Sequence, residues 1–140
     1  MGLDEVMTDR LVAGIGFRRS TGPDEIAALI TRALKQAGVD GTALAAVATA
    51  ADRAGEPAIA AAAAGFGLAP CPVGPDALAA SDARVVTRSA RIENLRGVGS
   101  LAEAAALAVA GPDSSLVLPR IASGGATCAL ALRPNTNPAP

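Results

Sequence analysis

The chain contains no histidine, no tryptophan and no tyrosine. Without histidine, Ser-His-Asp triads and the usual His-containing metal sites are excluded within it. Phe17 and Phe66 are its only aromatic side chains. Two rings make a poor base-stacking platform, so no nucleic-acid partner is expected. Lys35 is the only lysine, and nearly every positive charge is therefore an arginine, the residue suited to bidentate contact with carboxylates or phosphates. Cys71 and Cys128 are the only cysteines. Their spacing fits neither a zinc pattern nor a redox pair, and both sit in apolar segments, where they read as small buried hydrophobes. No metal and no cofactor is expected. Any chemistry must use carboxylates, hydroxyls, arginine, backbone N–H groups or a partner.

Other absences bear on location. The N-terminus carries Asp4, Glu5 and Asp9, not a basic flank before an apolar run, so no signal peptide is expected. Glycine, proline or charge interrupts each apolar stretch before it reaches membrane-spanning length. The expectation is a cytoplasmic protein without a membrane partner. The net charge of −1 leaves electrostatic function to local clusters.

What is present is a chain of 140 residues, half of them hydrophobic and many of those alanine. That is enough for one globular domain with a real core. Residues 1–10 read as a flexible leader, 11–133 as the domain and 134–140 as a polar, proline-rich, disordered tail. Apolar runs at 11–16 and 44–49 read as buried strands. Between them Ile26, Leu29, Ile30, Ala33 and Leu34 recur at helical spacing, and Gly38 closes that helix. Pro57 opens an alanine-rich helix ended by Gly65 and Gly67. Residues 69–73, interrupted by Pro70 and Pro72, read as a weak edge strand. One or two helical turns follow at 75–80. Residues 83–87 read as a short strand or an extended connection, and 89–96 as at most a short polar helix. Ser100 and Glu103 form a capping-box pattern that launches a helix through Ala110. Runs at 116–121 and 126–132, joined by Ser123-Gly124-Gly125, predict a closing antiparallel hairpin. Early strand–helix alternation predicts right-handed βαβ units. The expected fold is α/β: a three-layer α/β/α sandwich with a mainly parallel, mixed sheet ending in an antiparallel hairpin.

The candidate site follows the first strand. Gly14 and Gly16 form a Gly-x-Gly pattern, and Arg18, Arg19, Ser20 and Thr21 lie between a strand's end and a helix's start. In open α/β sheets ligands bind at that edge, next to helix N-termini. The glycines fit a ligand-approaching turn or close packing of strand on helix. Thr21 fits a ligand contact or a helix cap. Position 19 is arginine where a dinucleotide fingerprint has its third glycine, and no Gly-Lys-Ser/Thr follows, so neither nucleotide motif is complete. Thr49, Asp52, Arg53 and Glu56 follow the second strand and are expected on the same edge. Arg88, Arg91 and Arg96 form a second cationic stretch, read mainly as a solvated face. Arg120, inside the final apolar hairpin, must reach solvent, an anion or a carboxylate. Residues 123–127 fit an anion-binding turn or a plain hairpin tip.

Four segments together carry a family resemblance. They are Gly14-Ile15-Gly16-Phe17-Arg18-Arg19-Ser20-Thr21 with Asp24-Glu25-Ile26; Thr49 with Asp52-Arg53 and Glu56; the run from Val98 through Ser100 and Glu103 to Leu107; and Leu118-Pro119-Arg120 with the run from Gly125 to Ala131. In this order and spacing the chain resembles the cobalamin-biosynthesis family of stand-alone CobE proteins and the C-terminal domain of CbiG, and its length resembles the stand-alone form. That family often has Cys where Phe17 stands and commonly Lys in place of Arg53 and Arg120. Losing the cysteine argues against thiol chemistry at position 17. The resemblance implies a role in building the corrin ring. CbiG-type proteins are associated with opening a lactone and releasing acetaldehyde. The expected ligand is a polycarboxylate corrin or precorrin intermediate, with other cobalamin-pathway enzymes as further partners. Gly14, Gly16, Arg18, Arg19, Ser20, Thr21, Thr49, Arg53 and Arg120 are the expected contacts. Two roles stay open: a binding module or carrier, and a CbiG-like hydrolase with Asp52 or Glu56 as general base and Arg18 or Arg53 stabilising an oxyanion.

Overall fold

The computed structural model describes residues 10–134. Residues 1–9 and 135–140, the bulk of the expected leader and tail, lie outside the described residues. Arg10 is held at the sheet: its N–H donates to the Ala43 carbonyl at 3.1 Å, and its carbonyl accepts the Arg133 N–H at 2.9 Å.

Five strands form one mixed sheet: β1 (Leu11–Phe17), β2 (Leu44–Ala50), β3 (Pro70–Val73), β4 (Ser115–Ala122) and β5 (Ala126–Leu132). Their order across the sheet is β3-β2-β1-β5-β4. β1, β2 and β3 pair in parallel, while β5 runs antiparallel to both β1 and β4. Four strands therefore point one way and β5 alone opposes them. The prolines of β3 are tolerated because it is an edge strand, as their spacing predicts.

The helices make the outer layers. On one face lie α1 (Pro23–Gln36) and α2 (Pro57–Ala64). α1 turns Ile26, Leu29, Ile30, Ala33 and Leu34 inward, and each fully buried Leu or Ile contributes about 1.5–3 kcal/mol. Its first turn carries Asp24 and Glu25 and its last turn Lys35, in keeping with the helix dipole. On the other face α5 (Leu101–Ala110) lies on the sheet, and α3 (Pro75–Ser81) packs against α5. α5 is buried almost all round, which is why its sequence is apolar on every side. A short α4 (Ala90–Arg96) precedes it, with the Ser89 hydroxyl accepting the Ile92 N–H. Residues 82–84 form a 3-10 turn and 85–89 run as irregular chain, so the short strand considered there does not form.

The alternation of β1 explains its glycines. Leu11, Ala13 and Ile15 face α1, while Val12, Gly14 and Gly16 face α5. A Cβ on Gly14 would stand 1.9 Å from the Ala102 carbonyl oxygen and 2.6 Å from the Ala106 nitrogen. Gly14 thus lets the α5 backbone rest on the sheet. This corrects its expected place among the ligand contacts, because the space a ligand would need holds a helix. Gly16 is likewise buried, beside Leu101 and Thr127. Cys128 is fully buried, and burial pushes its thiol up to about 12. Cys71, on the edge strand, is only half-buried, contrary to the buried role expected of it.

Candidate functional site

The carboxyl ends of β1, β2 and β3 lie on one edge of the sheet, and α1, α2 and α3 start from it. Leu101, the first residue of α5, lies beside Gly16 at the same edge. The turn between β4 and β5 also belongs here, because Ala126 pairs with Phe17.

The sheet divides at this edge. β1 stays paired with β5 through Phe17, and β2 stays paired with β3 through Ala50. Between β1 and β2, however, the register ends at Gly14 and Ala48. Buried carbonyls left by such a split need other donors. The Thr49 hydroxyl, fully buried, donates to the Ile15 carbonyl at 2.7 Å. The Arg53 guanidinium donates through Nη2 to the Phe17 carbonyl. Its Cζ lies over the Phe17 ring, 4.5 Å from the centroid, and Nη1 pairs with Glu56 at 2.8 Å. Thr49 and Arg53 are thus brought to the predicted edge but turned into the protein. Asp52 is exposed on the same loop, and Glu56 is engaged by Arg53.

Arg18, Arg19 and Ser20 are exposed, and their side chains make no hydrogen bond or ion pair among the described residues. The loop beneath them is fixed. The Arg18 N–H donates to the Gly125 carbonyl at 2.9 Å, and the Thr21 N–H donates to the Arg18 carbonyl at 3.0 Å. Thr21 is buried, and its hydroxyl donates to the Gly125 carbonyl at 2.7 Å. It does not cap α1, whose N-cap is Gly22 without a side-chain bond.

The hairpin turn already holds an anion, the carboxylate of Glu25. The Gly125 N–H donates to it at 2.6 Å and the Ser123 hydroxyl donates to the same oxygen. The Ser123 hydroxyl and then the Gly125 N–H hold the Glu25 carboxyl below the usual carboxylate range, against a smaller effect of burial. Arg32 on α1 adds a bond to the Ala122 carbonyl at 2.6 Å. The turn that the sequence left open between anion site and hairpin tip is therefore a tip locked to α1.

Glu103 is a fully buried acid whose role the capping pattern hid. The Ser100 hydroxyl accepts the Glu103 N–H at 3.3 Å, which is half of a capping box. The Glu103 carboxylate reaches elsewhere. It accepts N–H donors from Val86 at 2.7 Å, Thr87 at 2.9 Å and Arg120 at 2.9 Å. Burial works to raise its pKa, but the bonds from Arg120, Thr87 and Val86 together outweigh it and leave it lowered. A lone acid inside an alanine-rich buried helix was the available signal. Arg120 sits near the carboxyl end of β4, two strands from β1, with its guanidinium free of hydrogen bonds and ion pairs among the described residues. In the second cationic stretch, Arg88 is paired with Asp82 at 3.0 Å and Glu93 at 2.7 Å, on an exposed face.

A wide, open depression lies at the opposite end of β2, lined by Asp40, Gly41, Thr42, Leu44 and residues 65–68. None of the predicted site residues lines it.

Residues 11–131 match the family described as Cobalamin synthesis G C-terminus. The protein CobE of a Sinorhizobium species is 40% identical over 121 residues, covering 86% of this chain and 79% of that protein. A crystal structure of CobE, a protein from the cobalamin (vitamin B12) biosynthetic pathway, superposes with a TM-score of 0.82 at 31% identity, covering 88% of this chain and 89% of the other. The cobalamin biosynthesis protein chiG from Agrobacterium tumefaciens str. C58 gives a TM-score of 0.71 at 35% identity, covering 89% and 99%.

Proposed function

The chain belongs to the cobalamin synthesis G C-terminus family, and from that premise we propose that this cobalamin-pathway protein holds a polycarboxylate corrin or precorrin intermediate at the divided edge of its sheet. The observation that carries the reading is the company kept at that edge. β1 and β2 part there, and Arg18, Arg19 and Ser20 stand beside the parting with exposed, uncommitted side chains.

Magnitudes favour a large ligand over a small anion. An exposed arginine–carboxylate pair in water is worth only about 0–1 kcal/mol. The same contact shielded from water as a charge-assisted hydrogen bond is worth about 1.5–3 kcal/mol. A flat macrocycle fringed with carboxylates supplies several anions and the cover that strengthens each contact. Aromatic stacking adds little, since the only ring at this edge, Phe17, already lies under Arg53. Arg120 belongs to the reading as an outlying cation on the same edge.

The role is that of a carrier or accessory, handing the intermediate to neighbouring pathway enzymes. Arg53 occupies the Glu56 carboxylate, which leaves Asp52 as the exposed acid of the hydrolytic alternative. The experiment mixes purified protein with corrin intermediates and follows absorbance and mass over time. A lasting spectral shift with unchanged mass is the expected result. A new mass at catalytic protein levels would make the protein an enzyme on the corrin periphery, and no shift with any intermediate would remove the binding role.

A further inference from the structure

We infer that Arg53 and Glu56 are a positioning pair that aims the Arg18–Arg19 loop, and that neither touches the ligand. The inference rests on the binding reading above. Its ground is a single peptide group. The carbonyl that Arg53 holds belongs to the peptide joining Phe17 to Arg18, and the N–H of that same peptide donates to Gly125 at 2.9 Å. The plane from which Arg18 departs is therefore fixed on both sides, by β2's loop and by the hairpin tip.

Arg53 is built for this task and poorly placed for ligand contact. Only 8% of it is exposed, and both terminal nitrogens are engaged, one with the Phe17 carbonyl and one with Glu56. Its Cζ lies over the Phe17 ring. A guanidinium in that position gains from hydrogen bonding, ion pairing and cation–π contact at once. Drawing it out to a ligand would forfeit all three and leave a half-buried carbonyl without its donor. Glu56 fixes which way the guanidinium turns, and the Glu56 N–H returns to the Arg53 carbonyl at 3.1 Å, closing the loop on itself.

Positioning and direct contact predict opposite signs for Glu56→Gln. Were Arg53 a ligand contact, Glu56 would compete with the ligand for it, and neutralising Glu56 would tighten binding. As a positioning pair, neutralising Glu56 loosens Arg53 and weakens binding.

The test titrates cobyrinic acid, with its methyl ester as the control lacking carboxylates, into wild type, Arg53→Met, Arg53→Lys and Glu56→Gln. Amide exchange over residues 17–21 is measured on each protein without ligand. Arg53→Met and Glu56→Gln should weaken binding about tenfold, as for loss of one charge-assisted contact, and speed exchange at Arg18 and Arg19. Arg53→Lys should lose less than Arg53→Met, because an ammonium keeps the charge and a donor for the carbonyl or the carboxylate but lacks the planar fork that serves both. Tighter binding by Glu56→Gln, or unchanged exchange in Arg53→Met, would overturn the inference. Glu56→Gln removes no buried cation, so it decides the matter even if Arg53→Met does not fold. If wild type ignores cobyrinic acid while Arg53→Met still exchanges faster, the binding reading falls and the positioning of the loop stands.

Discussion

The Glu25 carboxylate accepts the Gly125 N–H at 2.6 Å, joining the first turn of α1 to the tip of the closing hairpin a hundred residues later. Thr21 binds the same glycine from the other side, through its carbonyl. A Cβ at Gly125 would stand 2.5 Å from the Thr21 hydroxyl oxygen, so any larger residue must push that hydroxyl from its place. The loop bearing Arg18 and Arg19 is therefore braced by residues from both ends of the chain.

The Glu25 lock carries a pH signature. Its folded pKa lies below the ordinary glutamate range, owing to the Ser123 hydroxyl and the Gly125 N–H. A carboxyl so depressed adds stability above its unfolded pKa, and that stability fades as pH falls through the folded value. Wild type should melt above Glu25→Gln by a constant margin from neutral pH down to about pH 5, and the margin should close on further acidification. Paired melting curves across that range check it. A margin unchanged down to about pH 2 would show that the carboxylate's charge plays no part.

Gly14→Ala should destabilise the protein by about 1–3 kcal/mol or more, because the added methyl meets the α5 backbone and not a side chain that could swing aside. Gly55→Ala is the matched control, since that residue is no helix N-cap and a Cβ there meets nothing within 4 Å. Urea midpoints of the two variants make the comparison. Equal midpoints would mean that α5 shifts freely on the sheet.

Glu103 ties three chain segments together, so its loss should be felt beyond α5. Glu103→Ala removes the acceptor of the Val86, Thr87 and Arg120 N–H groups. An unsatisfied buried donor costs about 1–3 kcal/mol, and with relaxation at the half-exposed β4 edge the sum should be about 3 kcal/mol or more. Amide exchange at these three positions should accelerate together. Acceleration at Val86 and Thr87 alone would show that the β4 bond is dispensable.

The layers of the fold were legible because they rest on local pattern. The i, i+3, i+4 spacing of Ile26, Leu29, Ile30, Ala33 and Leu34, and the apolar runs of β1 and β2, report their own burial. The insertion of β5 between β1 and β4 was not legible, since no local feature records which distant strand a strand will join. The site divides in the same way. Arginine at positions 18, 19 and 53 is one letter, but whether a guanidinium faces water or a neighbouring carbonyl depends on where β1 and β2 part. Ser100 and Glu103 have capping-box spacing whether the carboxylate folds back or reaches across to β4. The glycine at position 14 carried a readable hint: it continues the Val12 side of β1, where the missing side chain implies a close neighbour.

Arg18 is the residue by which the receptor reading is most exposed to test. Its backbone is held by Gly125 and by Thr21, so its side chain can be removed without disturbing the loop. Arg18→Ala should leave the melting temperature within the range typical of surface substitutions, about 0.5 kcal/mol either way. It should weaken carboxylate-dependent corrin binding by about 1–3 kcal/mol, roughly a factor of 5 to 150 in Kd. Affinity for the methyl-esterified corrin should not change. Raising ionic strength should weaken wild-type binding more than that of the variant, because the variant has one fewer ion contact to screen. A variant that binds the free acid as well as wild type at every salt concentration would remove Arg18 from the site and leave the weight on Arg19, Ser20 and the outlying Arg120.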